Sequence, residues 1–317
     1  MEYLYIFGGF ALLVLGGNYL VKGAAGLALK FNVSPMLVGI TVVALGTSAP
    51  ELLVSISAAL RGMPDIVVGN VVGSNIANIG LILGVTAMIF PIAVKKRTLG
   101  FDFAVMMGAS ILFFITGLTG LISRTDGIIF LVLLISYIVF SYVREYRSDA
   151  PEFAAGEIDP TVRQKPLILL LIFVAIGSVG LVFGAEWLVS GAEIVAVNFG
   201  VSDRVIAITL VAFGTSVPEL AASVIAALKG EKDLSLGNLI GSNLYNILAV
   251  LGITAIIKPI AVADKVMQID MWWLLGTSFA ILPIGLIGMR IGRVGGILLF
   301  GAYLAYIAVV LKLPPFF

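Results

Sequence analysis

The chain has 317 residues, of which 60% are hydrophobic and 12% are charged, and its mean hydropathy is +1.15. Soluble domains are typically about 25% charged, so this composition excludes an ordinary soluble enzyme and predicts a polytopic membrane protein. The net charge of +1 gives no sign of nucleic-acid binding, and the absence of Cys and His excludes disulfides, thiolate metal sites and histidine proton relays.

Ten apolar stretches along the chain are long enough to span a bilayer, which takes about 20 residues. The first has no basic N-terminal region and no cleavage site, so we interpret it as a span and not as a signal peptide. The predicted spans are 3–29, 35–60, 66–90, 101–120 and 126–143, followed by 167–197, 203–228, 234–257, 268–289 and 294–312.

A polar segment between the two sets of spans divides the chain into a first five-helix repeat, 1–143, a linker, 144–166, and a second repeat, 167–317. Because five is an odd number, the second set must enter the membrane in the opposite orientation, as in many secondary transporters. The predicted fold class is therefore an all-α polytopic membrane protein with ten transmembrane helices in two inverted five-helix repeats.

The distribution of Lys and Arg predicts how these helices cross the membrane. With the N-terminus outside, the inner loops carry 12 of these residues and the outer loops carry 6. We therefore expect a multi-pass protein of the cell membrane with both termini outside and the linker in the cytoplasm.

Two motifs occur once in each half. Gly-Thr-Ser-Ala-Pro-Glu at 46–51 returns as Gly-Thr-Ser-Val-Pro-Glu at 214–219, and Gly-Asn-x-x-Gly-Ser-Asn-x-x-Asn at 69–78 returns at 237–246. One spacing of 168 residues separates Glu51 from Glu219 and Asn78 from Asn246. Ionisable groups inside apolar spans are costly and usually functional, so two at equivalent places predict one shared site between the halves.

Each proline of the first motif stands inside a predicted span. Proline has no N–H and its ring clashes with the carbonyl four residues earlier, which here belongs to Gly46 or Gly214. The second and seventh helices are therefore predicted to be interrupted near the middle of the membrane, and the third and eighth, which carry the second motif, are predicted to be broken as well.

Oxygen atoms surround these predicted breaks. Hydroxyl and carboxylate groups lie within about one turn of each proline, and a broken backbone beside an acidic group suits a hard cation. We also favour ion contact for the serine and last asparagine of the second motif, which are four residues apart and share a helical face. The residues in these two groups are Thr47, Ser48, Glu51, Thr215, Ser216 and Glu219, and Ser74, Asn78, Ser242 and Asn246.

Structural explanations compete with the ion-binding one. The first motif could be a kink whose Ser and Thr bond back to the helix. Asn70, Asn75, Asn238 and Asn243 could serve as polar contacts between helices. Glu186, nearer the middle of the sixth span than Glu193, could line an access route.

The charge of the site limits its ligand. Two ionised glutamates suit one Ca²⁺ or two or more Na⁺, and hard oxygen ligands disfavour copper and zinc. Mg²⁺ fits less well because it dehydrates reluctantly and demands near-ideal octahedral geometry.

These paired motifs strongly resemble the α-repeats of the sodium/calcium exchanger family, and the short linker resembles its prokaryotic members. The resemblance covers nearly the whole chain and implies a secondary transporter, not an enzyme, with no cofactor and with Ca²⁺ and Na⁺ as transported ions. It also implies that the long first and sixth helices slide across the core during alternating access.

The resemblance assigns individual ligands. Glu51, Glu219, Thr47 and Thr215 match positions that coordinate Ca²⁺. Backbone carbonyls of Ala44 and Ala212 match Na⁺ positions together with Ser48, Ser74, Ser216 and Ser242, and Asn78 and Asn246 match the remaining polar pair. Potassium-dependent relatives carry Asp where this chain has Asn246, so the resemblance favours K⁺-independent exchange.

The expected function is Na⁺-driven Ca²⁺ antiport by a monomer in the lipid bilayer. An H⁺/Ca²⁺ exchanger is the nearest alternative, although proton exchangers of the superfamily usually show Gly-Asn-Ala-x-Glu in place of the first motif. A cation channel and an intramembrane hydrolase remain as alternatives from other classes.

Overall fold

The computed structural model describes residues 2–146, 164–199 and 214–312, and it is almost entirely helical. Eight helices in this part of the chain are long and apolar enough to cross a membrane, and a bent pair makes a ninth span. The helices are α1 Glu2–Phe31, α2 Pro35–Thr47, α3 Ala49–Leu60, α4 Pro64–Ile89, α5 Thr98–Gly117, α6 Arg124–Tyr146, α7 Leu167–Asn198, α8 Val217–Leu228, α9 Lys232–Ile257, α10 Val266–Met289 and α11 Arg293–Lys312.

The second predicted span is bent, as expected from its proline. Helices α2 and α3 meet at Ser48 with an angle of 46° between them. Of the predicted seventh span, 203–228, only the part from Gly214 onward lies within the described residues. There Thr215 and Ser216 form a turn, and α8 begins at Val217.

The prediction that the third and eighth helices are broken is wrong, because α4 and α9 each run continuously. Each changes instead to π-helical geometry over part of its length, at Asn78–Leu83 in α4 and at Tyr245–Leu251 in α9. A π-helical stretch absorbs an irregularity without interrupting the helix, and such stretches are frequent at functional sites. The fifth span also extends beyond its predicted end, since Arg144–Tyr146, assigned to the linker, continue α6.

Helices α4 and α9 lie at the centre of the protein. In an apolar stretch of 18 residues, α4 is 72% buried and α9 is 83% buried by other parts of the chain. The corresponding stretches of the other continuous spanning helices are at most 44% buried. These two helices carry the second repeated motif, so its polar residues lie inside the protein.

Long helices α1 and α7 pack along each other through glycines. A methyl group added at Gly16 would lie 2.8 Å from the backbone nitrogen of Leu181, and one at Gly184 would lie 2.8 Å from that of Leu13. Glycines let the two backbones approach this closely. The pair contributes to an apolar cluster with α2 and α8, separate from the cluster formed mainly by α4, α5, α6, α9, α10 and α11.

Two short strand pairs connect the halves. Strand β1, Ile92–Ala93, pairs antiparallel with β4, Arg290–Ile291, and β2, Leu121–Ile122, pairs antiparallel with β3, Ile260–Ala261. Ile92 lies opposite Ile291, and Ile260 lies opposite Ile122. Each half thus contributes two strand-bearing loops, and each loop pairs with the non-equivalent loop of the other half.

Candidate ion-binding site

The first half contributes Glu51 from the beginning of α3. Ser48 leaves helical geometry (φ −85°, ψ 8°), and α3 restarts with Pro50 in its first turn, where a missing N–H costs nothing. Glu51 is also in this first turn and is only 1% exposed. The helix N-terminus favours an anionic group there, although burial of a carboxylate is costly unless the charge is compensated.

The second half repeats this arrangement in α8. Ser216 (φ −90°, ψ 0°) precedes the helix, Pro218 is in its first turn, and Glu219 follows at 0% exposure. The two carboxylates therefore occupy equivalent positions at the starts of equivalent helices.

Side chains of the first half contact the second half at this point. Ser48 Oγ donates a hydrogen bond to Glu219 Oε1 at 3.0 Å. Thr47 Oγ1 donates to Asn238 Oδ1 at 3.2 Å and lies 3.5 Å from Ser242 Oγ. The structure thus brings α2, α8 and α9 together around one carboxylate.

The two glutamates are close enough to interact electrostatically with each other. Thr215 approaches Glu51, and Thr47 approaches Glu219, so each threonine lies beside the carboxylate of the other half. Two buried carboxylates within electrostatic reach of each other are costly unless a cation or a proton compensates their charge.

Many polar atoms on the two glutamate-bearing segments and on the helices packed against them are buried and have no hydrogen bond of acceptable geometry within the described part of the chain. Buried polar atoms are normally paired, so a group of unpaired ones on facing elements suggests a ligand site. Elsewhere in the described residues the hydroxyl of Thr86 and the amide oxygens of Asn75 and Asn243 are also buried without a partner, but none of them carries a charge. The unpaired atoms of predicted ligands are both carboxylate oxygens of Glu51, Oε2 of Glu219, the hydroxyls of Ser74, Thr215 and Ser216, and the side-chain amides of Asn78 and Asn246.

The backbone ligands predicted by the resemblance are only partly described. Ala44 is fully buried at the end of the π-helical turn of α2, and its carbonyl accepts from Ser48 N at 2.9 Å. The Thr47 hydroxyl lies 3.4 Å from the same oxygen, so an ion at this carbonyl would take the place of that weak contact. Ala212 lies outside the described residues.

Four asparagines of the second motif divide into two roles. Asn70 and Asn238 donate to the neighbouring helix, whereas Asn75 and Asn243 donate to carbonyls of their own helices. The polar-contact explanation therefore describes Asn70 and Asn238. Glu186, considered for an access route, lies exposed on α7.

Sequence reasoning missed Ser55 and Ser223, which are fully buried one turn after the two glutamates and accept from Asn70 and Asn238. The repeat contains a signal for them, because both serines stand four residues after a repeated glutamate at the common spacing of 168.

The chemistry of the assembled residues suits a hard cation. Within the described ranges no group of three or more His, Cys, Asp or Glu side chains could hold a metal. The candidate ligands of a cation here are therefore the two carboxylates and the neutral oxygen atoms near them. Ca²⁺ takes 6–8 oxygen ligands in flexible geometry, and carboxylates, hydroxyls, amides and carbonyls are all suitable.

Comparison with known proteins gives consistent results. The family described as "Sodium/calcium exchanger protein" matches residues 1–143 and 169–312. The sodium/calcium exchanger MaX1 of Methanosarcina acetivorans is 31% identical over 98% of both chains, and the inner membrane protein YrbG of Escherichia coli (strain K12) is 32% identical over 97% of this chain and 96% of the other. A solved structure of the sodium-calcium exchanger NCX_Mj superposes with a TM-score of 0.82 at 34% identity and covers 98% of each chain.

Proposed function

The chain belongs to the sodium/calcium exchanger family, and we propose that it is a secondary antiporter that exchanges Na⁺ for Ca²⁺ across a membrane. The single observation that carries this proposal is that Glu51 and Glu219, one from each half, lie within electrostatic reach of each other among buried oxygen atoms that have no hydrogen-bond partner in the described part of the chain.

Electrostatics explains why such a site exchanges ions instead of releasing one and returning empty. Two uncompensated carboxylates in a low-dielectric interior cost several kcal/mol each. The protein can therefore change its side of access readily when one Ca²⁺ or a set of Na⁺ neutralises Glu51 and Glu219. Because both ions use the same carboxylates, binding of one excludes the other.

Each predicted ligand has a role in this cycle. Glu51 and Glu219 neutralise the cation, Thr47 and Thr215 approach the carboxylates of the opposite halves, and the remaining oxygens complete the coordination. The remaining predicted ligands are Ala44 and Ala212 through their carbonyls, Ser48, Ser74, Ser216 and Ser242 through their hydroxyls, and Asn78 and Asn246 through their amides. Moving more than two Na⁺ against one Ca²⁺ would transport net charge, so the membrane potential would bias the exchange.

We further propose ten transmembrane helices in two inverted repeats, 1–143 and 167–317, with both termini outside the cell membrane and the linker inside. The strand pairs that connect the halves support this arrangement. Tyr137 donates to Asp102 at 3.0 Å in the first half, and Tyr306 donates to Asp270 at 3.1 Å at the equivalent place in the second. Both repeats belong to one chain, which supports function as a monomer.

Transport of ⁴⁵Ca²⁺ into proteoliposomes, with Na⁺, K⁺ and pH gradients imposed separately, tests the proposal. We expect uptake when Na⁺ leaves the vesicles, with no requirement for K⁺, because the position equivalent to an acidic one in K⁺-dependent relatives is Asn246. Uptake driven by a pH gradient without Na⁺ would indicate the H⁺/Ca²⁺ exchanger instead, and single-channel currents would indicate a channel.

A further inference from the structure

Two asparagines connect the helices that carry the glutamates to their neighbours. Asn70 Nδ2 on α4 donates to the backbone oxygen of Glu51 at 3.1 Å and to Ser55 Oγ at 3.0 Å. An amide nitrogen has two N–H groups, so both are used in this contact. The acceptors lie one turn apart on α3, and a single side chain therefore spans one turn of the helix that begins with the carboxylate.

The second half contains the same contact. Asn238 Nδ2 on α9 donates to Ser223 Oγ at 2.9 Å and to the backbone oxygen of Glu219 at 3.4 Å. Asn238 and Ser223 are almost completely buried. A contact that recurs at the same two acceptors in both halves is a feature of the repeat and not of one local packing.

The position of each asparagine relates it to the predicted ligands. Asn70, Ser74 and Asn78 are spaced four residues apart on α4 and share a helical face. The hydrogen bond from Asn70 to the backbone of Glu51 therefore sets the position of Ser74 and Asn78 along the axis of α4 relative to that carboxylate. The same holds in α9 for the face that begins with Asn238.

Asn238 has a further contact that crosses between the halves. Its Oδ1 accepts from Thr47 Oγ1 at 3.2 Å, while its Nδ2 is bonded to α8. A nearby hydroxyl strengthens the same helix pair, since Ser235 Oγ donates to the Ser223 carbonyl at 2.9 Å. One amide thus connects the backbone of Glu219 with a predicted ligand of the other half.

We propose that Asn70 and Asn238 are positioning residues for ion exchange. Asn70 fixes the axial position of α3 against α4, and Asn238 fixes that of α8 against α9; α4 and α9 carry the proposed serine and asparagine ligands. Asn238 also orients the Thr47 hydroxyl. Neither amide nitrogen contacts the ion. This inference rests on the proposed function of the site, because it concerns the geometry of the same ligands.

Alanine substitutions at the two positions test the inference by equilibrium binding of ⁴⁵Ca²⁺ to the purified protein. Loss of groups that orient metal ligands typically weakens affinity by about 10–100-fold. We expect Asn70→Ala to require about tenfold more Ca²⁺ for half-saturation, and Asn238→Ala to require more still because it loses the Thr47 contact as well.

The chain provides matched controls in Asn75 and Asn243. These amides belong to the same helices, but each donates at 2.7 Å to a carbonyl of its own helix, four residues earlier. Their amide oxygens are buried without a partner in the described residues, and neither side chain bonds to α3 or α8 there, so Asn75→Ala and Asn243→Ala should change half-saturation little. Equal affinity losses in the controls and in the Asn70 and Asn238 variants would overturn the assignment, as would wild-type affinity in the latter.

Gentler variants separate positioning from a loss of folding. Ser55→Ala and Ser223→Ala each remove one acceptor of the asparagine contacts and add no charge. We expect both to weaken Ca²⁺ binding, and the effects of Ser55→Ala and Asn70→Ala to be less than additive because they remove the same hydrogen bond. Full additivity would contradict the proposed contact.

The result for the wild-type protein distinguishes the two proposals. If it binds Ca²⁺ in competition with Na⁺ and the asparagine variants bind equally well, the positioning role fails and the exchange function stands. If the wild-type protein binds neither cation, the exchange function fails, and the positioning role fails with it.

Discussion

Glu51 and Glu219 combine complete burial with very few compensating contacts. Within the described residues, the hydroxyl of Ser48 bonds to Glu219, while both carboxylate oxygens of Glu51 lack a well-formed hydrogen bond. Breaking the compensation of a buried charge typically costs about 3–5 kcal/mol. We therefore expect the stability of the ion-free protein to be limited by these two charges.

Glu51→Gln should relieve this cost because it keeps the side-chain size and removes the charge. The ion-free variant should unfold at a higher temperature than the ion-free wild type, by about 2–4 °C for each kcal/mol recovered. Addition of Ca²⁺ should stabilise the wild type but not the variant. Thermal unfolding of the detergent-solubilised protein measures both effects.

Glu186→Gln is the matched control, since it makes the same chemical change at an exposed position on α7. It should alter neither the Tm without ions nor the stabilisation by Ca²⁺. Stabilisation of Glu51→Gln by Ca²⁺ to the same extent as the wild type would contradict the role given to this carboxylate.

The two glutamates could be predicted as ion ligands from the sequence because a charged residue inside an apolar span is recognisable without a structure. The sequence did not distinguish Asn70 from Asn75, which stand in the same motif. The difference arises because Asn70 reaches an acceptor 19 positions earlier in the chain, and only the packing of α3 against α4 decides which asparagine faces it.

At the scale of helices, the bend between α2 and α3 is the feature that follows most directly from local sequence. Pro50 cannot donate to the carbonyl of Gly46, and Ser48 leaves helical geometry just before it. The bend of 46° turns the chain where Ala44, Thr47 and Glu51 are grouped. Carbonyls freed by such a bend are available to an ion.

Pro50→Ala should restore an N–H and allow a continuous helix through Ser48. We expect Na⁺-driven Ca²⁺ uptake to fall about tenfold or more, because displacement of reacting groups by about 1 Å can cost 10²-fold in other proteins. Initial rates in proteoliposomes provide the measurement. Pro64→Ala is the control, because Pro64 starts α4, where its missing N–H has no helical partner to lose. Equal rates for Pro50→Ala and the wild type would show that the bend is not needed.

The π-helical stretches of α4 and α9 could not be predicted from the sequence. Asn78–Leu83 and Tyr245–Leu251 are apolar apart from Asn78, Tyr245 and Asn246, and their sequences predict ordinary helix. Both stretches lie in the two most buried helices, where packing against other helices decides the geometry and local propensity does not report it.

At the scale of the whole molecule, a buried ionic contact holds the beginning of α2. Glu145 at the end of α6 accepts from the backbone nitrogen of Ser34 at 2.8 Å and from its hydroxyl at 2.6 Å. Arg97 lies 3.1 Å from the same carboxylate. The Ser34 side chain also accepts from Leu37 N at 3.1 Å and so caps α2. The helix that leads to Thr47 is therefore anchored at its tip by residues distant in sequence.

Glu145→Ala should lower stability because it removes the partner of Arg97 and two hydrogen bonds at the cap. We expect a loss on the order of 2 kcal/mol, below the 3–5 kcal/mol typical of fully buried pairs because Arg97 is partly exposed. Thermal unfolding with and without Glu145→Ala measures it. Asp233→Ala is the contrast. Asp233 pairs with Lys95, their side chains are 34% and 46% exposed respectively, and such exposed ion pairs contribute about 0–1 kcal/mol. A larger loss for Asp233→Ala than for Glu145→Ala would contradict this ranking.

The two repeated motifs could be read from the sequence because they keep one spacing of 168 residues, and they predict two related halves. The contacts that connect the halves could not. Ile92 pairs with Ile291, and Thr47 contacts Asn238 across 191 positions, and neither partner carries a local pattern that indicates the other. The joining of the halves therefore depends on tertiary contacts between residues distant in sequence, including the strand pairs and the hydrogen bonds from Thr47 and Ser48.

The central claim is that Glu51 and Glu219 form one shared ion site. Equilibrium binding of ⁴⁵Ca²⁺ to the purified wild-type protein, Glu51→Gln and Glu219→Gln, with and without competing Na⁺, tests this claim most directly. We predict that Na⁺ displaces Ca²⁺ from the wild type and that each single substitution abolishes nearly all binding. If each variant instead retained about half of the bound Ca²⁺, the carboxylates would belong to two independent sites, and the shared site would be wrong.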